Sequence, residues 1–370
     1  MQQRIKENYA ISGYFVFFLI AVTQAAATLF NFQSLALVHA GQDAWISIIL
    51  MGVSLHLIIW MIYKMLGNPA KDVIDVHRTV FGKFMGNALS LIVVGYYFLM
   101  ALFFLRSYME VIQVWVFPSL RTWVIAGLFI CIIYYVVSGG FRVVAGFSFF
   151  YLALIPMLFW FYFPTRQGDP GLLLPILNHS LTDVIKSSKS SCIIFFGLEP
   201  LLIYLPFLKS GQKHAKWAHF ALLFSTFKYA AIMIVTLMFF SQGLLKHTLW
   251  PTMAMTQIIE FSFIARFEYV FIFMWQLTII PTVCIPIWCC TRIMKRVCSI
   301  KPGLSLPFVL AALMLAALTL KERAQMDAFG TFVNECAIYF YFAYIPLLFI
   351  ITWFAARLKG ERKRTKMDEA

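Results

Sequence analysis

The sequence predicts an all-α, multi-pass membrane protein of ten transmembrane helices, folded as two inverted five-helix halves with helices 1 and 6 broken. Three observations carry that prediction: an apolar composition, ten separate apolar segments, and a Gly-Leu-Glu-Pro interruption inside the sixth. Of 370 residues, 62% are hydrophobic and 18% aromatic, while only 12% are charged. A soluble globular domain does not have that balance. The net charge of +14 does not point to nucleic acid, because the basic residues fall between apolar runs and form no single face. Cys131, Cys192, Cys284, Cys289, Cys290, Cys298 and Cys336 lie mostly inside apolar stretches and include no C-x-x-C pair. They read as small membrane-core residues, with neither a metal site nor a disulfide framework.

The first apolar segment covers residues 10–38. Arg4 and Lys6 before it and Ala25-Ala26-Ala27 within it mimic a signal peptide, but the run is too long for one, so it is read as a retained helix. Segments 2 to 5 cover 45–66, 84–107, 123–138 and 143–164; segments 6 to 10 cover 190–208, 217–243, 267–290, 304–320 and 336–356. About 20 residues at ~1.5 Å rise span a ~30 Å hydrocarbon core, the fourth and ninth segments being the shortest. The gaps are too small for a soluble insert. A single transmembrane domain is therefore expected over 1–370, with helices 1–5 at about 10–164, helices 6–10 at about 190–356 and a basic tail at 357–370.

Lysine and arginine set the orientation. With the N-terminus placed in the cytoplasm and the helices alternating, 20 of the 30 fall on the inside and nine outside, Lys228 lying within helix 7. That bias predicts both termini cytoplasmic.

Segment 6 reads SSCIIFFGLEPLLIYLPFL. Glycine and proline weaken a helix, and a carboxylate at membrane depth costs at least about 2.5–3.5 kcal/mol unless partnered or wetted. A broken helix is tolerated in hydrocarbon only where protein covers the freed backbone or a cavity receives it. The stretch from Gly197 to Pro200 is thus read as a discontinuity at a polar pocket, the simpler alternative being a proline kink with Glu199 bonded to a neighbouring helix. Five helices before it and five from it onward force the second half to sit inverted, as in many secondary transporters that bind at the midplane. Helix 1 has a matching weak middle, Thr23-Gln24-Ala25-Ala26-Ala27-Thr28, small and polar between apolar runs.

The stretches FFGLEPLLIYLPFL (195–208) and WPTMAMTQIIEFSFIARFEYVFIFMWQL (250–277), the latter with Glu260, Arg266 and Glu268, resemble the B subunits of bacterial spore germinant receptors. These belong to the amino acid–polyamine–organocation transporter superfamily, and the resemblance extends over essentially the whole chain. It implies a ten-helix LeuT-like fold, a spore inner-membrane or cell-membrane location, and recognition of a nutrient in complex with an A subunit and a lipoprotein C subunit. A proton- or ion-coupled amino acid transporter using the same pocket is the alternative; a purely structural scaffold leaves the paired breaks unexplained.

The expected ligand-binding set is Thr23, Ala25, Ala26 and Thr28 on helix 1, Tyr97 and Ala101 on helix 3, Gly197, Leu198 and Glu199 at the second break, and Thr278 and Thr282 on helix 8. Free N–H groups at half-helix ends suit a ligand carboxylate. Glu199 suits an ammonium group or a proton, and Glu199 with Pro200 is expected to act in gating. Tyr97 with Ala101, and Thr278 with Thr282, are spaced i,i+4 on single faces; within-helix bonding is the plainer role for the threonines. Lys228 reads as a buried charge or a snorkelling side chain near the cytoplasmic end, and Arg106 with Glu110 as an interfacial ion pair. No G-x-S-x-G, H-E-x-x-H or Walker loop occurs, and the histidines lack ligand spacing. Hence no catalytic residue, cofactor, metal or nucleic-acid partner is expected, only membrane lipid, a nutrient and the receptor subunits.

Overall fold

The computed structural model describes residues 10–25, 29–67, 71–209, 211–259 and 266–368. Ala26, Thr28 and Glu260, singled out above, lie outside them. The described chain is helical, with a lone bridge between Ile11 and Leu208.

The first segment forms two short helices, α1 (Phe15–Gln24) and α2 (Phe32–Ala40), followed by α3 (Ala44–Leu66). α4 (Val73–Val111) begins well before residue 84 because Asp72 caps it, accepting the Asp75 N–H at 3.1 Å. It kinks at Gly82, where φ is +76°. Next come α5 (Thr122–Ser138) and three turns of one rod, α6 (Phe141–Phe147), α7 (Tyr151–Leu154) and α8 (Tyr162–Gln167).

The sixth segment opens with α9 (Leu181–Ser190), tightens into a 3₁₀ turn at Cys192–Phe195, and resumes as α10 (Leu201–Tyr204). The remainder is α11 (Ala215–Phe239), α12 (Gln242–His247), α13 (Pro251–Thr256), α14 (Phe267–Val297), α15 (Pro302–Thr319), α16 (Arg323–Tyr339) and α17 (Ile345–Asp368). α16 starts well ahead of residue 336 because Glu322 and Gln325 form a capping box.

Seven helices among the described residues are long and apolar enough to cross a membrane. α1 and α5 are apolar but shorter, and the sixth segment is divided by its break. Leu57, Tyr135, Phe159, Phe227 and Leu315 lie exposed on the outside of the bundle; a belt of such side chains is stable against lipid and not against water. Inside, α4 packs along α14, and α11 packs against both α1 and α3.

We call the end of the bundle that holds Ile11 proximal and the opposite end distal. The two broken helices are stitched together at both ends. Proximally, the Ile11 N–H donates to the Phe207 carbonyl at 2.8 Å and the Lys209 N–H to the Ile11 carbonyl at 2.9 Å. Distally, Ser187 Oγ donates to the Ala36 carbonyl at 2.5 Å and Ser188 Oγ to that of Ser47 at 2.8 Å. The buried Asp43 carboxylate accepts the backbone N–H groups of Leu177, Asn178 and His179 at 2.8, 2.9 and 3.1 Å, and the His179 ring at 3.0 Å. α1 is thereby joined to the chain after α10, and α2 to α9. The breaks form the layer between two coupled pairs.

Candidate functional site

The second break is built around Glu199. Gly197 sits at φ +116°, which turns the chain out of the 3₁₀ turn, and a Cβ on it would lie 2.5 Å from Thr23 Cβ. Only glycine adopts that conformation freely, and only its missing side chain lets α1 approach so closely. Pro200 then supplies the N-cap of α10. The turn folds the Glu199 side chain back onto its own backbone, where Oε2 accepts the Gly197 N–H at 2.8 Å. Tyr96 Oη donates to Oε1 at 2.6 Å, and Tyr97 Oη donates to the Glu199 carbonyl at 2.7 Å. Glu199 is wholly buried. Two charge-assisted bonds, each worth about 1.5–3 kcal/mol, offset the cost of burying it.

The first break is tied to the second through carbonyls. Gln24 Nε2 donates to the Phe195 carbonyl at 3.2 Å, which also accepts Tyr341 Oη at 3.1 Å. Carbonyls at the C-terminal end of α1 draw donors from other helices: Thr282 Oγ1 on Val22 at 3.1 Å, Trp275 Nε1 on Ala25 at 3.3 Å, and Tyr229 Oη on Gln24. This is how a helix end survives in an apolar interior. Past the break, Thr252 Oγ1 donates to the Leu29 carbonyl at 2.8 Å, and Gln33 Nε2 to Thr252 Oγ1 at 2.7 Å. Two acceptors are left over: Gln24 Oε1 and Gln33 Oε1 are buried and receive no donor from the described residues.

The expected residues divide accordingly. Gly197 and Glu199 meet directly, Thr23 lies against Gly197, and Tyr97 reaches the Glu199 carbonyl. Ala25 receives Trp275, and Thr282 grips both Val22 and the Thr278 carbonyl, 2.7 Å away. Thr23 and Thr278 turn their hydroxyls onto their own helices, to Leu19 and Trp275, each at 2.7 Å. Ala101 and Leu198 are fully buried, Ala101 one turn along from Tyr97. The Gly197 amide, expected as a free donor, is engaged by the Glu199 carboxylate.

Two side readings change. Lys228 stands in the middle of α11, 3% exposed, its Nζ 4.4 Å from the Tyr229 ring and 5.7 Å from Tyr151, so it is no snorkelling residue. Glu110 pairs with Arg323 of α16 at 2.6 Å, and Arg106 is buried with Nε and Nη1 lacking acceptors among the described residues. Tyr341, Tyr229 and Trp275 were not anticipated, since their partners lie more than 140 residues away in sequence. Among the described residues, no group of three or more His, Cys, Asp or Glu is placed to hold a metal.

Comparison with known proteins identifies relatives. A sequence family described as spore germination protein matches residues 10–326. The chain is 37% identical to the spore germination protein GerQB of Bacillus cereus, over 97% of this chain and 100% of that protein. It is 26% identical to spore germination protein A2 of Bacillus subtilis (strain 168), over 65% and 67% of the two chains. Among solved structures, that of MhsT in complex with L-phenylalanine superimposes with a TM-score of 0.57 at 12% identity, covering 91% of this chain and 87% of that one. The fold is LeuT-like.

Proposed function

The chain belongs to the spore germination protein family, and from that premise we propose that it is the membrane subunit of a nutrient germinant receptor. It binds a small amino acid at the paired helix breaks and signals to neighbouring subunits. The reading takes ten membrane crossings in a 5+5 inverted arrangement, with both termini cytoplasmic, in the spore inner membrane. Its partners are an A subunit and a lipoprotein C subunit.

The observation that carries the reading is the Glu199 carboxylate bonded to the Gly197 amide, with Gln24 held by its Nε2 to the Phe195 carbonyl two residues earlier and its Oε1 free of donors among the described residues. An amino acid offers a carboxylate and an ammonium group together. Its carboxylate takes over the Gly197 N–H, and its ammonium group pairs with the displaced Glu199 carboxylate and with Gln24 Oε1. The exchange adds no net charge to a buried site, which avoids the several kcal/mol that an unpaired ion would cost there. Breaking the Glu199–Gly197 bond loosens the second break, and the stitched pairs α1–α10 and α2–α9 shift against each other. The L-phenylalanine in the similarly folded MhsT supports an amino acid as the ligand class.

Side-chain selectivity falls to Ala25, Ala26, Ala101 and Leu198. One methylene in an apolar pocket is worth about 1–3 kcal/mol, so discrimination is modest. Ala101→Val is expected to weaken the response to bulky amino acids about tenfold more than the response to small ones. Dose–response curves over glycine, alanine, valine, leucine and phenylalanine check this; an equal loss across the series would place Ala101 in helix packing alone. Topology is checked separately. Reporter fusions at Gly211 and Gly360 should both read cytoplasmic, and an external signal at either would defeat the ten-crossing arrangement.

An amino acid transporter built on the same pocket is the second reading, favoured by the likeness to MhsT. Uptake of radiolabelled amino acids into proteoliposomes separates the two.

A further inference from the structure

The flank of the bundle carries a groove of about 410 Å³ between α3, α9 and the end of α16. Leu50, Ile185, Tyr339 and Phe342 line it and are exposed. On α3 the exposed apolar side chains recur at Leu50, Val53, Leu57 and Trp60, the spacing of a single helix face. Leu50 belongs both to that lipid-facing stripe and to the groove, so the groove opens sideways onto acyl chains.

Among the described residues that line it, only Lys189 is charged, and it forms no ion pair with any described residue. Lys189 stands eight residues along α9 from Leu181, about 12 Å inward from the distal start of that helix. Lysine stems at such depth lie along apolar surface and carry the ammonium group toward the headgroups.

The back wall of the groove reaches the second break. α16 runs into a π-helical turn at Phe340–Tyr344, a rare geometry found mostly at functional sites. Two of its residues face the break. The Phe340 ring centroid is 4.3 Å from that of Tyr96, which bonds Glu199, and Tyr341 Oη donates to the Phe195 carbonyl at 3.1 Å. The next two, Phe342 and Ala343, line the groove. Asn334 fixes α16 to the end of α9: its Oδ1 accepts the Ile193 N–H at 2.8 Å and its Nδ2 donates to the Lys189 carbonyl at 3.1 Å.

We propose that this groove binds one anionic phospholipid, its acyl chain against Ile338, Phe342 and Ala343 and its phosphate on Lys189. The bound lipid braces α9 against α16 and so steadies the second break from the membrane side. It is a ligand separate from the nutrient at the breaks. A headgroup with its own ammonium group already neutralises its phosphate and gains less from a lone lysine, which favours phosphatidylglycerol over a zwitterionic lipid.

The probes are phosphatidylglycerol and phosphatidylcholine with the same diazirine-bearing acyl chain, each a trace component of phosphatidylcholine vesicles that hold the full-length protein. After irradiation the modified residues are mapped by mass spectrometry. Phosphatidylglycerol should label residues 50–54 and 338–343 at least about fivefold more than the choline lipid does. Both lipids should label the exposed flank around Leu315 alike. Lys189→Gln should erase the preference and Lys189→Arg should keep it, while Ala343→Trp should fill the groove and remove its labelling by either lipid. Phosphatidylglycerol added to the detergent-solubilised parent should also raise its melting temperature by several degrees, and that of Lys189→Gln far less.

Equal labelling of the groove by both lipids, or a preference that survives Lys189→Gln, would mean unselective boundary lipid and overturn the proposal. A groove left unlabelled while Leu315 is labelled would mean that a second copy of the chain covers it, and would overturn it as well. A melting temperature unchanged in the parent, or raised equally in Lys189→Gln, would overturn the bracing of α9 against α16.

Discussion

Gly197→Ala is expected to lower the melting temperature of the detergent-solubilised protein by roughly 5–10 °C and to deplete it from the membrane. Two costs combine at this position. The backbone at φ +116° is one that residues with a Cβ rarely adopt, at about 1–3 kcal/mol. The added carbon would also lie 2.5 Å from Thr23 Cβ and 2.9 Å from its Cγ2, at a place where neither can swing aside. Overpacking of that kind costs about 1–3 kcal/mol more. Together these take a substantial part of the ~5–15 kcal/mol that holds a typical protein folded. Thr23→Ala in the same chain removes the Cγ2 and Oγ1 contacts but leaves the closer one to Cβ, so it should rescue the variant only in part. Gly95→Ala is the control, because no atom lies within 4 Å of its would-be Cβ. A Gly197→Ala protein that melts with its parent would mean that the two breaks are not in tight apposition.

The break itself was legible because its signature is local. Gly197, Glu199 and Pro200 are adjacent in sequence, and each conflicts with a continuous apolar helix for a separate reason. The first break was legible in outline, as a run of small residues from Thr23 to Thr28, part of which lies outside the described residues. What holds the breaks together was legible only in part, through Tyr97 and Thr282 in the expected set and a Glu199 bond to a neighbouring helix as the alternative reading. Tyr96, Tyr341, Gln24 and Trp275 act across the bundle through single side-chain bonds, and such bonds leave no spacing pattern in the chain. Gln24 carried the one usable hint, an amide at membrane depth. The Arg106–Glu110 expectation failed for a related reason. The i,i+4 rule describes what an isolated helix offers, and α16 brought Arg323 to Glu110 at 2.6 Å. Asp43 was not matched to residues 177–179, because three of its four partners are backbone amides of a loop and the fourth is a lone histidine ring distant in sequence.

The central claim, that Glu199 receives the ammonium group of an amino acid, is tested most directly by binding. Glu199→Gln keeps one acceptor oxygen for the Gly197 N–H and turns its NH2 group to Tyr96 Oη, which can accept as well as donate, so the break should stay folded. It removes the charge that would meet the ligand's ammonium group. One charge-assisted contact is worth about 1.5–3 kcal/mol, or roughly 10- to 100-fold in affinity. The measurement is equilibrium binding of tritiated L-alanine, L-leucine and L-phenylalanine to parent and Glu199→Gln proteins in nanodiscs, with propionate as the amine-free competitor. The account predicts a 10- to 100-fold loss for each amino acid the parent binds. Propionate should compete with it equally weakly in both proteins, and membrane levels should be unchanged. Unaltered amino acid affinity in Glu199→Gln, or absence of the variant from the membrane, would contradict it and leave Glu199 as a structural cap on Gly197.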